Sequence, residues 1–323
     1  MDLFTGLASK VKGQNKRVVF PEGEDERVLG AASRLKKDGL VEPVLLGNTA
    51  KINEVSAQNK FDLTGIEIID PATYDDKQAM IDSLVERRKG KTTPEQAAQM
   101  IGDVSYFGTM LVYMNKVDAM VSGAVHATGD TVRPALQIIK TKPGNSRISG
   151  AFIMEKGDER YVFADCAINI ELGAQEMAEV ALQSAETAQL FDIDPKVALL
   201  SFSTKGSAKA DVVTKVAEAT EIAQGLAPNL PIDGELQFDA AFVPSVGERK
   251  APGSKVAGHA NVFVFPDLQS GNIGYKIAQR FGGFEAIGPI LQGLNAPISD
   301  LSRGASEEDI YKVALITAAQ ALD

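Results

Sequence analysis

Residues 17–47, RVVFPEGEDERVLGAASRLKKDGLVEPVLLG, hold two short apolar runs on either side of a helical pattern. The runs in RVVFPEG (17–23) and VEPVLLG (41–47) show little polar alternation, which is typical of strands covered on both faces. The segment 24–39 between them has apolar residues at helical spacing and ends at Gly39, a common residue just past a helix. A strand, a helix and a second strand in this order predict a parallel pair with a crossover helix, the repeating unit of α/β folds.

The same alternation continues along most of the chain. Further strands are predicted in IEIID, VDAMVSG, VALLSFS, ELQFDAAF, NVFVFP and GPILQG, and helices in DDKQAMIDSLVERR, PEQAAQMIGDVSYFGTMLVYM, 173–190, 211–225 and 272–281. The exception is the pair ISGAFIM and YVFADCAI, which flanks EKGDER and predicts an antiparallel hairpin. The sequence therefore predicts an α/β protein with α/β/α layers and mostly parallel sheets.

The length of 323 residues predicts two domains rather than one. TKPGN (141–145) is the best linker candidate, because its Pro-Gly pair marks a change of pattern. NAPISDLSRG (295–304) is predicted to be a loop, and the single helix after it must dock on a domain already formed. We therefore predict a discontinuous first domain, 1–145 plus 298–323, with a second domain, 146–297, inserted. A ligand site is expected in the cleft between them.

Composition excludes several classes of protein. A formal net charge of −10 argues against nonspecific binding of nucleic acid or an anionic membrane. The one cysteine, Cys166, excludes an internal disulfide and a CxxC motif, and only two histidines argue against a histidine zinc site. No apolar run has the length of a signal peptide or a membrane span, so a soluble, cytoplasmic protein is expected.

SDLSRGASEED (299–309) can be interpreted in two ways. Ser306 and Asp309 have the spacing of a capping box at the start of the last helix. Arg303 is then either a surface side chain that neutralises the acidic first turn or a phosphate-binding arginine.

Two other stretches are candidate anion sites. VSGAVHATGDTVRPAL (121–136) joins a strand to a helix whose first turn is predicted to hold Arg133 and Pro134, with Asp130 or Thr131 as its cap. VERRKGKTT (85–93) is the densest basic run, and it fits either a solvated helix end or a polyphosphate site. LSFSTKGSAK and GNIG lack the complete Walker A and GxGxxG patterns and are weak signals.

Several stretches together resemble the phosphate acetyltransferase (phosphotransacetylase) family. They are VERRKGKTT, VSGAVHATGDTVRPALQIIKT, YVFADCAIN, LSFSTKGSAK, FPDLQSGNIGYKIAQR, GPILQGLN and DLSRGASEEDIYKVALITAAQAL, and they occur in order over essentially the full length. The chain is most similar to the short bacterial form without an extra N-terminal regulatory region. The resemblance implies two α/β domains with an interdomain active site, an architecture like that of isocitrate and isopropylmalate dehydrogenases, and a homodimer.

The implied reaction is acetyl-CoA + phosphate ⇌ CoA + acetyl phosphate. In the family, the CoA thiol attacks acetyl phosphate directly in a ternary complex, with no acyl-enzyme, no metal and no tightly bound cofactor. By resemblance, Ser302 hydrogen-bonds the acetyl group or the tetrahedral intermediate, and Arg303 holds the phosphoryl group. Asp309 takes the thiol proton or, alternatively, orients Arg303 or Ser302.

The resemblance also assigns residues to the binding of CoA or acetyl phosphate. Arg133 matches a family arginine, and Arg87 best matches another, although Arg88 fits if the register moves by one. Cys166 matches a family cysteine near CoA that is not a nucleophile. Ala305 departs from the cysteine that many relatives carry after SRG.

Three rival functions differ from this one. A phosphate acyltransferase for longer chains, such as butyryl, would differ in pocket size. An NADP-dependent decarboxylating dehydrogenase would need clustered metal-binding aspartates, which the sequence does not offer. A silent sensor of CoA or acyl phosphate would not need the intact Ser302, Arg303 and Asp309.

Overall fold

The computed structural model describes residues 3–322. Contacts between residues divide the chain into two compact units. Unit 1 consists of Met1–Lys142 and Leu294–Asp323, and unit 2 of Pro143–Gly293. The sequence-based boundaries lie three and four residues further along, after 145 and 297.

Unit 1 is built on a five-stranded sheet in which every neighbouring pair is parallel. In chain order the strands are β1 (Arg17–Phe20), β2 (Glu42–Leu46), β3 (Glu67–Ile69), β4 (Ala119–Ser122) and β11 (Ile298–Asp300), and across the sheet they run β11-β4-β1-β2-β3. The central strands are almost entirely buried, as their continuous apolar runs predict.

Eight α-helices accompany this sheet within the described part of unit 1. They are α1 (Leu3–Val11), α2 (Glu26–Lys37), α3 (Thr49–Asn59), α4 (Lys77–Arg88), α5 (Pro94–Ile101), α6 (Val104–Tyr113), α7 (Thr128–Pro134) and α13 (Glu307–Gln320), and α7 continues into a π-helical segment, Ala135–Ile139. The last helix, α13, packs against α1, α2 and the sheet. Its buried residues include Ile310, Ala314 and Thr317, which recur at the spacing of one helix face.

Unit 2 contains a six-stranded mixed sheet in the order β10-β5-β6-β9-β7-β8. The strands are β5 (Ser149–Lys156), β6 (Glu159–Ala164), β7 (Val197–Leu200), β8 (Ile232–Leu236), β9 (Val262–Val264) and β10 (Glu285–Gln292). The helices are α8 (Ala174–Leu190), α9 (Asp211–Leu226), α10 (Phe238–Phe242), α11 (Pro244–Lys250) and α12 (Leu268–Arg280). The predicted hairpin is confirmed as β5 and β6, while β6, β9, β7 and β8 pair in parallel.

Three secondary-structure predictions differ from the structure. ELQFDAAF is not one strand, because β8 ends at Leu236 and the α10 turn follows; Phe238 and Phe242 stack one helical turn apart with ring centroids separated by 5.5 Å. NAPISDLSRG is not all loop, because Ile298–Asp300 pairs with β4 as the edge strand β11. The predicted long helix from 94 to 114 is also interrupted at Gly102, where Asp103 caps a new helix by accepting hydrogen bonds from Ser105 and Tyr106.

Candidate active site

Three neighbouring parallel strands of unit 1 have their carboxyl ends on the same side of the sheet, and each is followed by a candidate loop. β1 leads to Glu22, β4 leads to the loop 123–127, and β11 leads to the loop 301–305 that carries Ser302 and Arg303. The carboxyl ends of parallel strands are the usual location of ligand sites in α/β sheets. The fold therefore brings two of the sequence motifs, SRG and VHATGD, to adjacent strand ends.

Glu22 holds the loop after β4 in place. Its buried carboxylate accepts hydrogen bonds from four consecutive backbone amides, those of Gly123, Ala124, Val125 and His126, at 2.7–3.0 Å. His126 Nδ1 also lies 2.6 Å from Glu22 Oε1. The amides of this loop are therefore satisfied within the protein.

Gly123 is required at the crossing of the β4 and β11 loops. Its φ is +109°, and a Cβ at this position would lie 2.6 Å from Leu301 O and 2.7 Å from Asp300 Oδ1. Any other residue would separate the two loops.

The predicted capping box is confirmed. Ser306 Oγ accepts a hydrogen bond from Asp309 N, and Asp309 Oδ2 accepts from Ser306 N at 2.9 Å and from Ser306 Oγ at 2.8 Å. Asp309 is exposed, and Oδ1 makes no hydrogen bond within residues 3–322. One carboxylate oxygen is thus committed to the cap, and the other is available.

Ser302 and Arg303 are exposed on the loop before that helix. Ser302 Oγ accepts a hydrogen bond from Gly304 N at 3.3 Å. The backbone carbonyl of Arg303 accepts from Arg27 at 3.0 Å, whereas the Arg303 guanidinium makes no hydrogen bond or ion pair within the described chain. The acidic first turn does not neutralise Arg303, because Glu307 and Glu308 both pair with Arg34.

The prediction that Arg133 and Pro134 occupy the first turn of a helix is wrong. α7 begins at Thr128, so Arg133 lies in its last turn, and the backbone continues through Pro134 into the π-helical segment. Asp130 is the third helical residue, and its carboxylate accepts from Ala127 N at 3.3 Å. Arg133 is exposed and has no hydrogen-bond or ion-pair partner among residues 3–322.

A group of cations surrounds the end of α4 and the π-helical segment. The pKa of Lys140 is lowered, chiefly by Arg87 and further by the nearby Lys89, Lys91 and Arg88. We call these five residues the basic cluster. Burial raises the pKa of Tyr106, and both Arg88 and Arg133 oppose that rise, which places their charges in the same neighbourhood. The basic run and Arg133, distant in sequence, therefore form one positive region.

Arg87 and Arg88 differ in what they contact. Arg87 donates hydrogen bonds to Ile138 O and Ile139 O at 2.5 and 3.0 Å, and its guanidinium lies 4.9 Å from the Tyr113 ring centroid. Arg88 donates one long bond, 3.4 Å, from Nε to Thr92 Oγ1.

The model of the family described as phosphate acetyl/butaryl transferase matches residues 2–318. This chain belongs to that family. A phosphate acetyltransferase from Staphylococcus epidermidis is 62% identical over 99% of both chains. The structure of a phosphotransacetylase from Streptococcus pyogenes is 63% identical, covers 99% of this chain and 98% of its own, and superposes with a TM-score of 0.98. A branched-chain phosphotransacylase from Enterococcus faecalis, 17% identical with a TM-score of 0.67 over 95% and 99% of the two chains, shares the fold.

The family resemblance and the α/β fold predicted from the sequence are thus confirmed. None of the helices within residues 3–322 is long and apolar enough to cross a membrane. The same residues contain no group of three or more His, Cys, Asp or Glu side chains placed to hold a metal ion.

Cys166 belongs to unit 2, unlike the other predicted site residues. Its side chain is fully buried, and burial raises the pKa of the thiol well above its usual range, with Asp165 adding to the effect. A thiol in this state is a poor nucleophile.

Sequence reasoning missed three residues of this family member's candidate site: Glu22, Arg27 and Lys140. Glu22 had an available signal, because it directly follows a predicted strand in RVVFPEG, where α/β proteins concentrate functional side chains. Arg27 gave no signal, because a charged residue in the first turn of a helix is ordinary.

Proposed function

We propose that this chain catalyses acetyl-CoA + phosphate ⇌ CoA + acetyl phosphate, and that its active site includes the loop 301–305 of unit 1. The observation that carries the proposal is that the exposed guanidinium groups of Arg303 and Arg133 have no hydrogen-bond or ion-pair partner among residues 3–322. Arg303 lies on the loop after β11, and Arg133 lies on the helix that follows the adjacent strand β4. A protein of net charge −10 has many carboxylates to neutralise them. Arginines without a carboxylate partner are suited to bind phosphate oxyanions bidentately.

In the direction of acetyl-CoA formation, the CoA sulfur attacks the acetyl carbonyl and the bond from carbonyl carbon to phosphate oxygen breaks. Asp309 Oδ1 accepts the thiol proton while Oδ2 stays in the capping box, so a single carboxylate serves both purposes. The Ser302 hydroxyl donates to the developing oxyanion, and Arg303 neutralises the departing phosphate. An Asp309 that only orients Ser302 or Arg303 is the competing assignment.

CoA carries several phosphates, and the basic cluster together with Arg133 provides the charge to bind them. Arg87 and Arg133 are the proposed contacts, with Arg88 as the alternative to Arg87. Cys166 is proposed to contribute to CoA binding without forming a covalent bond, in agreement with its buried, proton-retaining thiol. No tightly bound cofactor takes part, since CoA enters as a substrate.

The proposed assembly is a cytoplasmic homodimer. Its support is an apolar stripe on α12, where Ile273 and Ile277 and the following Phe281 are 56%, 53% and 91% exposed. These residues are four apart and share one helix face.

The test is phosphate-dependent release of CoA thiol from acetyl-CoA by wild type, Arg303→Gln, Asp309→Asn and Ser306→Ala. Arg303→Gln is expected to lose about 10²–10³-fold in kcat/KM for phosphate, and Asp309→Asn about 10²–10⁴-fold in kcat. Ser306→Ala is the matched control, because it removes the cap while keeping the carboxylate. It should cost about 0.5–2 kcal/mol of stability but less than about threefold in rate.

If Asp309→Asn is no slower than Ser306→Ala, Asp309 is a cap and not the base. Turnover of butyryl-CoA in preference to acetyl-CoA would reassign the enzyme to longer acyl chains. If the folded wild type turns over neither substrate, the chain is instead a protein that binds CoA or acyl phosphate without catalysis.

A further inference from the structure

Arg27, at the start of α2, uses its whole guanidinium within the protein. Nε and Nη2 donate to the two carboxylate oxygens of Asp25 at 3.0 and 2.9 Å. Nη1 donates to Arg303 O at 3.0 Å and to Ala305 O at 2.8 Å, and Nη2 donates to Ala124 O at 2.9 Å. A guanidinium has five N–H groups, and these five bonds use all of them.

The three carbonyls belong to the two loops of the candidate site. Arg303 and Ala305 bracket Gly304, so their simultaneous attachment to one nitrogen defines the turn that presents Ser302 and Arg303. Ala124 lies in the loop that Glu22 holds by its amides. Glu22 therefore binds the N–H groups of that loop, and Arg27 binds a C=O of the same loop while tying it to the SRG turn.

The charge of Arg27 is not available to a substrate. Asp25 neutralises it as an ion pair with both side chains largely shielded from solvent. Burial acts to raise the pKa of Asp25, but hydrogen bonds from the Arg27 side chain and backbone outweigh burial and lower it. The guanidinium groups of Arg303 and Arg133, in contrast, have no hydrogen-bond or ion-pair partner in the part of the chain that the structure describes. Arg27 is thus engaged in structure, whereas the neighbouring Arg303 is available to a ligand.

We propose that Arg27 is a positioning residue, which sets the turn 302–305 so that Arg303 meets the phosphoryl group. The proposal rests on the proposed function for what Arg303 binds. A lysine cannot replace Arg27, because an ammonium group is a compact charge without the planar fork that spans three carbonyls. Misplacement of a binding group by about 1 Å can cost on the order of 10²-fold in rate.

The first experiment is a double-mutant cycle of Arg27→Lys and Arg303→Gln. Arg27→Lys alone is expected to lower kcat/KM for phosphate about 10–100-fold. In the Arg303→Gln background the same change should cost less than about threefold, because residues that act through one another are not additive. Equal losses in both backgrounds would overturn the proposal while leaving the proposed function intact.

The matched control is Arg34→Lys. Arg34 lies on the same helix and also contacts the C-terminal segment, but its partners are Glu307 and Glu308 on α13 rather than loop carbonyls. It should stay within about twofold of wild type in kcat/KM. A loss as large as that of Arg27→Lys would mean that α2–α13 packing, and not the turn, controls the rate.

The second experiment does not depend on activity. Trypsin cleaves after arginine, and cleavage of the Arg303–Gly304 bond requires local opening of the turn. Arg27→Lys should accelerate this cleavage about tenfold, as followed by mass spectrometry, and Arg34→Lys should not. Unchanged cleavage overturns the proposal even if the chain has no acetyltransferase activity. If Arg27→Lys does not fold, Asp25→Asn, which loosens the guanidinium, replaces it in both experiments.

Discussion

Two buried carboxylates of unit 1, Glu22 and Asp300, differ in how their charge is compensated. Glu22 accepts four backbone hydrogen bonds, whereas Asp300 Oδ1 accepts none within residues 3–322. Burial raises the pKa of Asp300; Thr128 and Thr131 oppose the rise, and Glu22 adds to it. Thr131 lies near enough to act on the charge, yet its hydroxyl also lacks a hydrogen-bond partner there, so its compensation is incomplete.

Asp300→Asn is therefore expected to stabilise the protein at neutral pH. A carboxyl with a raised pKa binds its proton more tightly in the folded state, so stability is lost as pH rises through that raised pKa. Asparagine does not ionise, and removing the poorly compensated charge should raise the free energy of unfolding at pH 8 by on the order of 1 kcal/mol. This gain in stability should decrease as the pH falls toward the ordinary pKa of aspartate, about 3.9. Urea unfolding between pH 5 and 8 measures it.

Asp62→Asn is the control for this prediction. Asp62 is exposed, and hydrogen bonds from the Thr64 side chain and backbone lower its pKa. The ionised Asp62 carboxylate therefore stabilises the folded state above the ordinary pKa of aspartate, and this stabilisation is lost on acidification, which is the opposite of the pH dependence expected for Asp300. An Asp300→Asn variant that is less stable than wild type at pH 8 would show that the ionised form is the stabilised one.

Individual residues also show what the sequence can and cannot predict. The Ser306–Asp309 cap was predictable because both partners lie within one helical turn. The three carbonyl partners of Arg27 lie 97, 276 and 278 residues away, and no local sequence pattern predicts them. Ser302, Arg303, Asp309, Arg87, Arg133 and Cys166 stay predictions as site residues.

At the level of elements, buried strands with continuous apolar runs were predicted well, whereas a short edge strand and a helix start were not. β1, β2 and β4 were identifiable because strands covered on both faces carry continuous apolar runs. β11 was missed because it has three residues and lies at the sheet edge. Pro134 was misplaced because proline is favoured in a first helical turn, while here the backbone changes to π-helical geometry directly after it.

The end of α4 gives a prediction that separates Arg87 from Arg88. Arg87→Met removes two charge-assisted hydrogen bonds and leaves the carbonyls of Ile138 and Ile139 without that donor, so a stability loss on the order of 2–3 kcal/mol is expected. Arg88→Met removes one long bond to Thr92 and should stay within about 0.5 kcal/mol. Both should raise KM for CoA, because each removes charge from the basic cluster.

Thermal unfolding and CoA titration of the two variants provide the measurement. Arg88→Met serves as the charge-matched control for Arg87→Met. Equal stabilities would contradict the assigned contacts. A rise in KM with Arg88→Met alone would move the proposed CoA contact from Arg87 to Arg88.

At the level of the whole molecule, the sequence does not distinguish an apolar helix face that packs into the core from one that is exposed at the surface. Ile273 and Ile277 have the spacing of a core-facing helix within the predicted segment 272–281. In the structure, Gly271 is the single buried residue of α12. The stripe became recognisable as a surface only once the neighbours of α12 were known, because burial depends on contacts that are distant in sequence.

Ile277→Asp is expected to convert the proposed dimer to a monomer. Burying an isoleucine side chain at an interface stabilises the dimer by about 1.5–3 kcal/mol. In a twofold-symmetric interface both protomers carry the substitution, so this stabilisation is lost twice. Dissociation should therefore become at least about 100-fold more favourable, and sedimentation velocity across a concentration series measures it. Leu226→Asp is the control, since Leu226 is 55% exposed at the end of α9 and lies outside the stripe. A monomeric wild type would contradict the homodimer, and a dimer that tolerates Ile277→Asp would place its interface away from α12.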